Sequence, residues 1–194
     1  QGTQGYNLGR LTATAAGLPN SVPGMTLDRQ CSSGLMSIGF AAQNIMLGSM
    51  DIVVAGGVES ISMVQNKHKN TYRNISKKVL SHSEHAYMQM IETAEVVAKR
   101  YNISRLAQDE YSLQSQLRIA AAQKNNLFDN EIVPMASTKS VFNRETKEVT
   151  FEDVLLAKDE GNRPSTTLES LQSLEPVWKD GRVISQGEFI TAGN

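Results

Sequence analysis

The pattern of apolar and polar residues predicts a series of helices separated by turn-forming residues. Met90, Ala94, Val97 and Tyr101 are spaced to share one face of a helix. Ser104 is a good N-cap for the longest helix, whose apolar positions are Leu106, Tyr111, Leu113, Leu117 and Ala121. The predicted helices cover residues 8–16, 32–48, 83–101 and 105 to about 125, and a brief helix runs through Leu168 and Leu171. Asn7 is the expected cap of the first.

Short apolar runs bounded by turn residues predict strands. The run 51–55 is continuously apolar after its first residue and ends at Gly56-Gly57, so we expect a buried parallel strand there. A helix followed by such a strand is the order of an α/β layer. Further strands are predicted at 22–27, at 131–135 and 147–151 around a polar turn at Asn143-Arg144, and at 189–192.

Composition narrows the class of protein. The chain has 194 residues, 40% of them hydrophobic, which is enough for one substantial domain. Its formal net charge of −1 gives no electrostatic case for a nucleic-acid partner. No run of about 20 apolar residues is present, and the most apolar stretch, 35–47, is too short to cross a membrane. One cysteine excludes an intrachain disulfide and fits a reducing compartment, so we expect a cytoplasmic protein.

That cysteine is Cys31, and it lies where the helix predicted at 32–48 begins. Unpaired backbone N–H groups and the helix dipole favour a thiolate at such a position, which can make the sulfur a nucleophile. The alternative is a small buried core residue, the more frequent role of a lone cysteine.

The residues around Cys31 carry a resemblance to a known family. The segment 20–34, Asn-Ser-Val-Pro-Gly-Met-Thr-Leu-Asp-Arg-Gln-Cys-Ser-Ser-Gly, resembles the nucleophile segment of the thiolases. The segment 52–63 looks like the strand and glycine turn that follow in that family, and the closing Ile-Thr-Ala-Gly-Asn, 190–194, matches another thiolase motif. Three motifs in the expected order extend the resemblance over essentially the whole chain.

The resemblance implies an α/β fold with a thiolase-like layered α/β/α core, partly present here, and an inserted loop domain of mixed helix and strand. It implies three parts: residues 1–62 belong to the core, 63–187 form the inserted, CoA-binding loop domain, and 188–194 return to the core as a strand. In the family, strands precede Gln1 and a second half of similar fold follows Asn194. We therefore expect both ends to be cut from a longer chain.

The activity that the resemblance implies is that of an acyl-CoA C-acyltransferase, as in the β-oxidation of fatty acids. Cys31 matches the nucleophile that accepts the acyl group while 3-oxoacyl-CoA is formed or cleaved. The family's catalytic histidine and second cysteine have no match in this chain, so we expect the chain alone to be inactive. Acyl-CoA and CoA are the implied partners and substrates, no metal or redox cofactor is implied, and the implied assembly is a homodimer or homotetramer.

Three further residues match substrate-binding positions of the family. Met90 resembles a residue lining the acyl and pantetheine tunnel, although Gln89 and Ile91 replace the histidine and glycine of many relatives, which leaves the acyl length open. Arg163 matches an arginine at the adenosine end of CoA, where a guanidinium can stack on adenine and face phosphate. Ala192 matches a small residue against CoA. The alternatives are core packing for Met90 and a surface ion pair with Asp159 or Glu160 for Arg163.

Two other functions stay open. A condensing enzyme of the ketoacyl synthase type shares the nucleophilic cysteine, although the Cys-Ser-Ser-Gly-Leu and Thr-Ala-Gly-Asn sequences favour a thiolase. A thiolase-like lipid-binding or scaffold protein would keep the fold without turnover, and Cys31 argues against it.

The middle of the chain carries its own candidates. The basic stretch 67–78 reads as a solvated loop or as a surface for another subunit or for phosphates. The histidines His68, His82 and His85 make a poor zinc ligand set with one distant cysteine.

Overall fold

The computed structural model describes residues 6–194. Their secondary structure consists of helices and one two-stranded sheet, which is consistent with an α/β fold. The chain divides into two compact units, a first that runs to Asn74 and a second at Ile75–Asn194. None of the described helices is both long and apolar enough to cross a bilayer.

The described part of the first unit, residues 6–74, contains three helices. Asn7 caps the first of them by accepting a hydrogen bond from Arg10 N, as predicted. A 3₁₀ turn at Gln30–Ser32 leads directly into the second and longest. The helices are α1 at Leu8–Ala15, α2 at Ser33–Met46 and α3 at Ile61–Val64. The basic residues after α3 are exposed and mostly without regular structure, as expected of a solvated loop.

Neither predicted strand of this unit forms. Residues 22–27 are bound to α1 instead, where Gly9 N donates to Thr26 Oγ1 at 2.8 Å and Asn7 Nδ2 donates to Gly24 O at 2.6 Å. Residues 51–55 have no strand structure, and Val54 is 94% exposed. An apolar run predicts burial, but a strand also needs a neighbour that pairs with its backbone, and no described segment pairs with this one.

The second unit contains four helices. The helix predicted at 83–101 is shorter than expected, because its polar beginning folds into turns and the regular helix starts only at Met90. Asn102, with a φ of 54°, ends it in the left-handed conformation typical of a helix C-terminus. Ser104 caps the next helix by accepting from Ala107 N at 3.1 Å, as predicted. The helices are α4 at Lys77–His82, α5 at Met90–Tyr101, α6 at Arg105–Lys124 and α7 at Leu168–Gln172.

The sheet is an antiparallel hairpin of β1, Met135–Phe142, and β2, Val149–Leu156. The predicted polar turn is confirmed, since Asn143 N donates to Glu148 O at 2.9 Å. Both strands begin later than the apolar pattern indicates. The two strands contact each other but no other described helix or strand.

The last predicted strand, 189–192, is also absent. The C-terminal segment, residues 176–194, follows an irregular path, with one isolated bridge between Lys179 and Gln186 and a bond from Val177 N to Ile190 O at 2.9 Å. Its other N–H groups bond mainly to side chains, which removes the donors that a strand would use. Trp178 of this segment is buried, as are Leu171 of α7 and Ala98 of α5.

Candidate functional site

The thiol of Cys31 is exposed at the start of α2. Cys31 is the middle residue of the 3₁₀ turn, and α2 begins two residues after it at Ser33. The predicted position at a helix N-terminus is therefore confirmed. The alternative of a buried core cysteine is wrong, because the thiol is free and exposed. A thioester can reach this sulfur.

Side chains on both sides of Cys31 hold the turn that carries it. Asp28 Oδ1 accepts a hydrogen bond from Gln30 N at 2.7 Å. Ser33 Oγ accepts one from Arg29 N at 2.8 Å and donates one to Gln30 O at 2.7 Å. Gln30 has a φ of 51°, a left-handed conformation that costs a residue with a Cβ about 1 kcal/mol. The hydrogen bonds offset that cost and fix the backbone next to the sulfur.

The glycine turn of the second family motif lies beside the first turn of α2. Ser37 Oγ donates to Gly34 O at 2.7 Å and to Gly56 O at 3.2 Å. A Cβ placed on Gly57 would come within 4.0 Å of Gly34 Cα. The structure therefore brings the segment 52–57 to the helix end where Cys31 lies.

The three predicted binding residues belong to the second unit and are all exposed. Met90 is the first residue of α5 and is 78% exposed, so it is not a core residue. Arg163 makes no ion pair with Asp159 or Glu160, although the structure describes all three side chains. Ala192 is exposed between partly buried neighbours. All three side chains are thus accessible to a ligand.

Helix α6 brings Arg163 and Ala192 near to each other. Gln116 Oε1 accepts a hydrogen bond from Arg163 N at 2.8 Å. Ser112, one turn earlier, donates its hydroxyl to the carbonyl of Gly193, next to Ala192. Four residues of a helix span about 6 Å along its axis. The two predicted CoA positions are therefore held on successive turns of one helix.

Two buried carboxylates of α5 bind the C-terminal segment. Glu95 is 1% exposed and accepts hydrogen bonds from three consecutive backbone N–H groups. Its Oε1 lies 2.7 Å from Ile190 N, and its Oε2 lies 3.0 Å from Glu188 N. Phe189 N lies 3.1 Å from both oxygens. The carboxylate thus replaces the partner strand that the sequence predicts for this segment.

Glu92, one turn earlier on the same face, binds the preceding residues. Its Oε1 lies 2.6 Å from Val183 N and 3.1 Å from Ile184 N. The Val183 N–H lowers the pKa of Glu92 below its ordinary value of 4.5, with help from Ile184 and Arg182 and against the opposing effect of burial. The carboxylate is therefore bound in its ionised form.

The low pKa of Glu92 predicts an acid-dependent contribution to stability. The carboxylate is easier to ionise in the folded protein than in the unfolded chain, so its stabilisation is complete above pH 4.5 and is lost as the pH falls through the folded-state pKa. We expect Glu92→Gln to lower the free energy of unfolding at pH 7, and the difference from wild type to shrink below pH 4.5. Urea unfolding at several pH values measures this. A difference that is equal at pH 3 and pH 7 would contradict it.

An ion pair between the partly exposed Arg105 and the buried Asp109 links α6 to α7 and to the C-terminus. Arg105 Nε lies 2.9 Å from both oxygens of Asp109, which is fully buried. Arg105 Nη2 donates to Leu171 O at 2.6 Å and to Leu174 O at 3.0 Å. Asn194 Nδ2 donates to Asp109 Oδ1 at 2.8 Å. The last motif of the chain is therefore bound to the longest helix.

The periodicity of apolar residues does not identify these anchoring residues. Glu92 and Glu95 are three positions apart and Arg105 and Asp109 four, so each pair shares a helix face. Acidic and basic residues at that spacing usually lie on a solvated face, and nothing in the pattern marks these as buried. The Arg105–Asp109 spacing did offer a signal for a pair.

The histidines form no metal site in the described residues. His85 Nε2 lies 3.2 Å from Glu84 Oε1, and both side chains are largely exposed. Within residues 6–194 no group of three or more His, Cys, Asp or Glu side chains is arranged to hold a metal ion.

Comparison with known proteins identifies the family of this chain. The family described as "Thiolase, N-terminal domain" matches residues 1–194. The chain is 40% identical over 192 residues to a 3-ketoacyl-CoA thiolase of Bacillus subtilis, with 98% of the chain and 46% of the relative covered. It is 37% identical to the peroxisomal 3-ketoacyl-CoA thiolase B of Mus musculus, over 94% of the chain and 42% of that protein. A β-ketoadipyl-CoA thiolase of Pseudomonas putida is also 37% identical, over 96% and 48%. The chain thus spans less than half the length of these relatives.

Proposed function

We propose that this chain, which belongs to the thiolase family, is the nucleophile-bearing part of an acyl-CoA C-acyltransferase that forms or cleaves 3-oxoacyl-CoA. The observation that carries the proposal is the exposed thiol of Cys31 on a side-chain-braced turn at the start of α2. The names of the relatives, each a thiolase acting on a CoA ester, support the same reaction.

In the proposed reaction, Sγ of Cys31 is the acyl acceptor. As a thiolate it attacks the thioester carbonyl of an acyl-CoA, the new C–S bond forms, and the CoA sulfur leaves as a thiolate. The α-carbon of acetyl-CoA, after loss of a proton to a base, then attacks the acyl carbon and releases the Cys31 thiolate. Thiolysis is the reverse, with free CoA removing the acyl group. A backbone N–H at the start of α2 is suited to stabilise the oxyanion.

The base for this reaction is proposed to lie outside residues 1–194. None of the three histidines matches the family's catalytic histidine, and the second cysteine has no counterpart because Cys31 is the only cysteine here. We therefore propose that the chain alone does not turn over. Thiolysis assays must use the complete protein that contains it.

The substrate surface is proposed to comprise Met90 along the acyl and pantetheine arm, Arg163 at the adenosine end and Ala192 against CoA. Their exposure supports the assignment, as does the attachment of the last two to neighbouring turns of α6.

The remaining features of the proposal follow the family resemblance. They are a layered α/β/α core, a homodimer or homotetramer, acyl-CoA and CoA as partners with no metal or redox cofactor, and a cytoplasmic location. A lone cysteine supports a reducing compartment. Cell fractionation tests the location, because the relatives include proteins named peroxisomal.

Alkylation of Cys31 tests the proposed function. In the complete protein, iodoacetamide should modify the peptide containing Cys31, and prior incubation with acetyl-CoA should slow that modification at least fivefold. Mass spectrometry should then find an acetyl group on the same peptide. Equal rates with and without acetyl-CoA, and no acetylated peptide, would overturn the proposal in favour of a non-catalytic lipid-binding or scaffold protein.

We predict that replacing the planar guanidinium of Arg163 weakens the binding of CoA. A lysine keeps the charge but loses the flat surface and forked donors that suit adenine and phosphate. We expect Arg163→Lys to raise KM for CoA about fivefold and to leave kcat within about twofold, because the contact is remote from the reacting atoms. Arg118→Lys, an exposed change on α6, is the matched control and should alter neither constant. A change in kcat alone would contradict the assignment.

A further inference from the structure

The turn 191–194 is held almost entirely by side chains. It has no regular secondary structure, yet Thr191 N donates to Asn194 Oδ1 at 2.8 Å and Gly193 N donates to Thr191 Oγ1 at 3.1 Å. The Gly193 carbonyl accepts the Ser112 hydroxyl. Of the four residues, only Ala192 is exposed. The turn therefore presents one small side chain to solvent from a fixed backbone.

The packing under the turn leaves no room for adjustment. A Cβ on Gly193 would lie 2.6 Å from Leu174 Cδ1 and 2.7 Å from Leu171 Cδ2. The backbone thus rests directly on α7 and the residues after it. A shift of the turn requires a shift of these apolar side chains as well.

The group that determines the position of the turn is the Asp109 carboxylate. It is fully buried and bound on one side by Arg105. Its Oδ1 also accepts a hydrogen bond from Asn194 Nδ2 at 2.8 Å, and the same Asn194 amide donates to Phe189 O at 3.1 Å. An ionised acceptor makes this bond stronger than one between neutral groups. The orientation of Asn194, and through it that of Thr191, follows from the position of Asp109.

We propose that Asp109 and Asn194 are positioning residues for CoA. Asp109 orients the Asn194 amide, and that amide holds the turn so that Ala192 stays in contact with bound CoA. This inference rests on the proposed function, since it assigns a purpose to the turn only if Ala192 lies against CoA. Neither residue touches the reacting atoms.

The test is the single variant Asn194→Asp and its combination with Asp109→Asn, both in the complete protein. Asn194→Asp keeps the acceptor for Thr191 N but places a second carboxylate against Asp109. We expect KM for CoA to rise about tenfold and kcat to change less than about threefold, because ground-state binding is lost. Asp109→Asn combined with Asn194→Asp restores a donor facing an acceptor and should return KM to within about threefold of wild type.

Gln108→Ala is the matched control. Gln108 neighbours Asp109 on α6, and its side chain donates to the carbonyl of Ile103, which precedes the helix and is not part of the turn 191–194, so this change should leave KM unchanged. Melting temperatures are recorded for all variants. If Asn194→Asp does not fold, Thr191→Val removes the acceptor of Gly193 N at nearly constant volume and is expected to raise KM in the same way.

The outcomes separate this inference from the proposed function. Turnover by the wild type with an unchanged KM in Asn194→Asp overturns the positioning role alone. Recovery of the melting temperature but not of KM in the double variant does the same, because the effect is then only structural. A wild-type complete protein without thiolysis or CoA binding overturns the proposed function and this inference together.

Discussion

Replacement of Cys31 by serine in the complete protein is expected to lower kcat for thiolysis by at least about 10⁴-fold, because the proposed acyl acceptor is lost. A hydroxyl at this position is almost the same size but is very weakly ionised at neutral pH, so it cannot replace the thiolate. The fold should be unaffected, since the side chain is exposed and makes no contact that a serine would break. Single-turnover mass spectrometry with acetyl-CoA should find no acetylated peptide.

The neighbouring Ser32 provides the control for this substitution. Its side chain is exposed and makes no capping hydrogen bond to α2. Ser32→Ala should therefore retain kcat within about threefold and the melting temperature of wild type. A Cys31→Ser protein that keeps more than about 1% of wild-type kcat would remove the cysteine from the mechanism.

Substitution of Glu95 by alanine is expected to destabilise the second unit by about 3–5 kcal/mol. The carboxylate accepts hydrogen bonds from the N–H groups of residues 188–190, and its removal leaves three part-buried donors without their acceptor. No other segment among residues 6–194 is placed to accept them as a strand would. Urea unfolding followed by the fluorescence of Trp178, the only tryptophan in the chain, reports directly on this region.

Glu110 is the matched control for Glu95. It is a glutamate of similar helical context on α6 but is exposed. We expect Glu110→Ala to change the free energy of unfolding by less than about 0.5 kcal/mol. A Glu95→Ala protein as stable as Glu110→Ala would show that the three N–H groups find acceptors elsewhere, and it would contradict the anchoring role.

Local signals in the sequence were sufficient for α1, α2 and α6, whereas α5 begins seven residues later than predicted and α3 and α4 were not predicted. Asn7 and Ser104 cap the helices they were predicted to cap, and the chain enters α2 immediately after Cys31. A cap depends on a side chain and an N–H group two or three residues away, so it is encoded within a few positions. The turn at Asn143 was predictable for the same reason: its side chain accepts from Glu145 N and Thr146 N.

Strands depend on partners that a local pattern does not identify. The runs 22–27, 51–55 and 189–192 were predicted as strands, and none forms. In the first case the carbonyls of Gly24 and Val22 accept from the side chains of Asn7 and Arg10, and in the last the N–H groups donate to Glu95. The strands that do form, β1 and β2, are adjacent in sequence and need only a short turn to meet.

The apolar pattern also fails to predict which residues of α6 are buried. Its apolar residues Tyr111 and Leu117 are 73% and 52% exposed, whereas Asp109 is fully buried. A hydrophobic pattern assigns the buried face to apolar residues. Here an ion pair and hydrogen bonds to irregular backbone occupy that face, and those partners are 60 or more residues away in the chain.

The sequence indicates Cys31 as a candidate residue, but it does not predict which distant residues the fold brings together. Cys31 was identified from its position and family motif, and its exposure at the helix start agrees with that prediction. The relation between Arg163 and Ala192 could not be predicted, because it depends on Ser112 and Gln116 bonding to two distant loops. Such long-range hydrogen bonds between polar groups do not produce a periodic pattern in the sequence.

The β1–β2 hairpin bonds internally and meets no other described helix or strand. Changes in its length or composition would therefore leave the packing of the other described helices undisturbed. Across descendants of a common ancestor we expect this ribbon to lengthen, shorten and change composition freely, while the braced turn at Cys31 and the anchored tail stay constant. Swapping hairpins between such proteins offers a way to graft tags or reporters onto this chain.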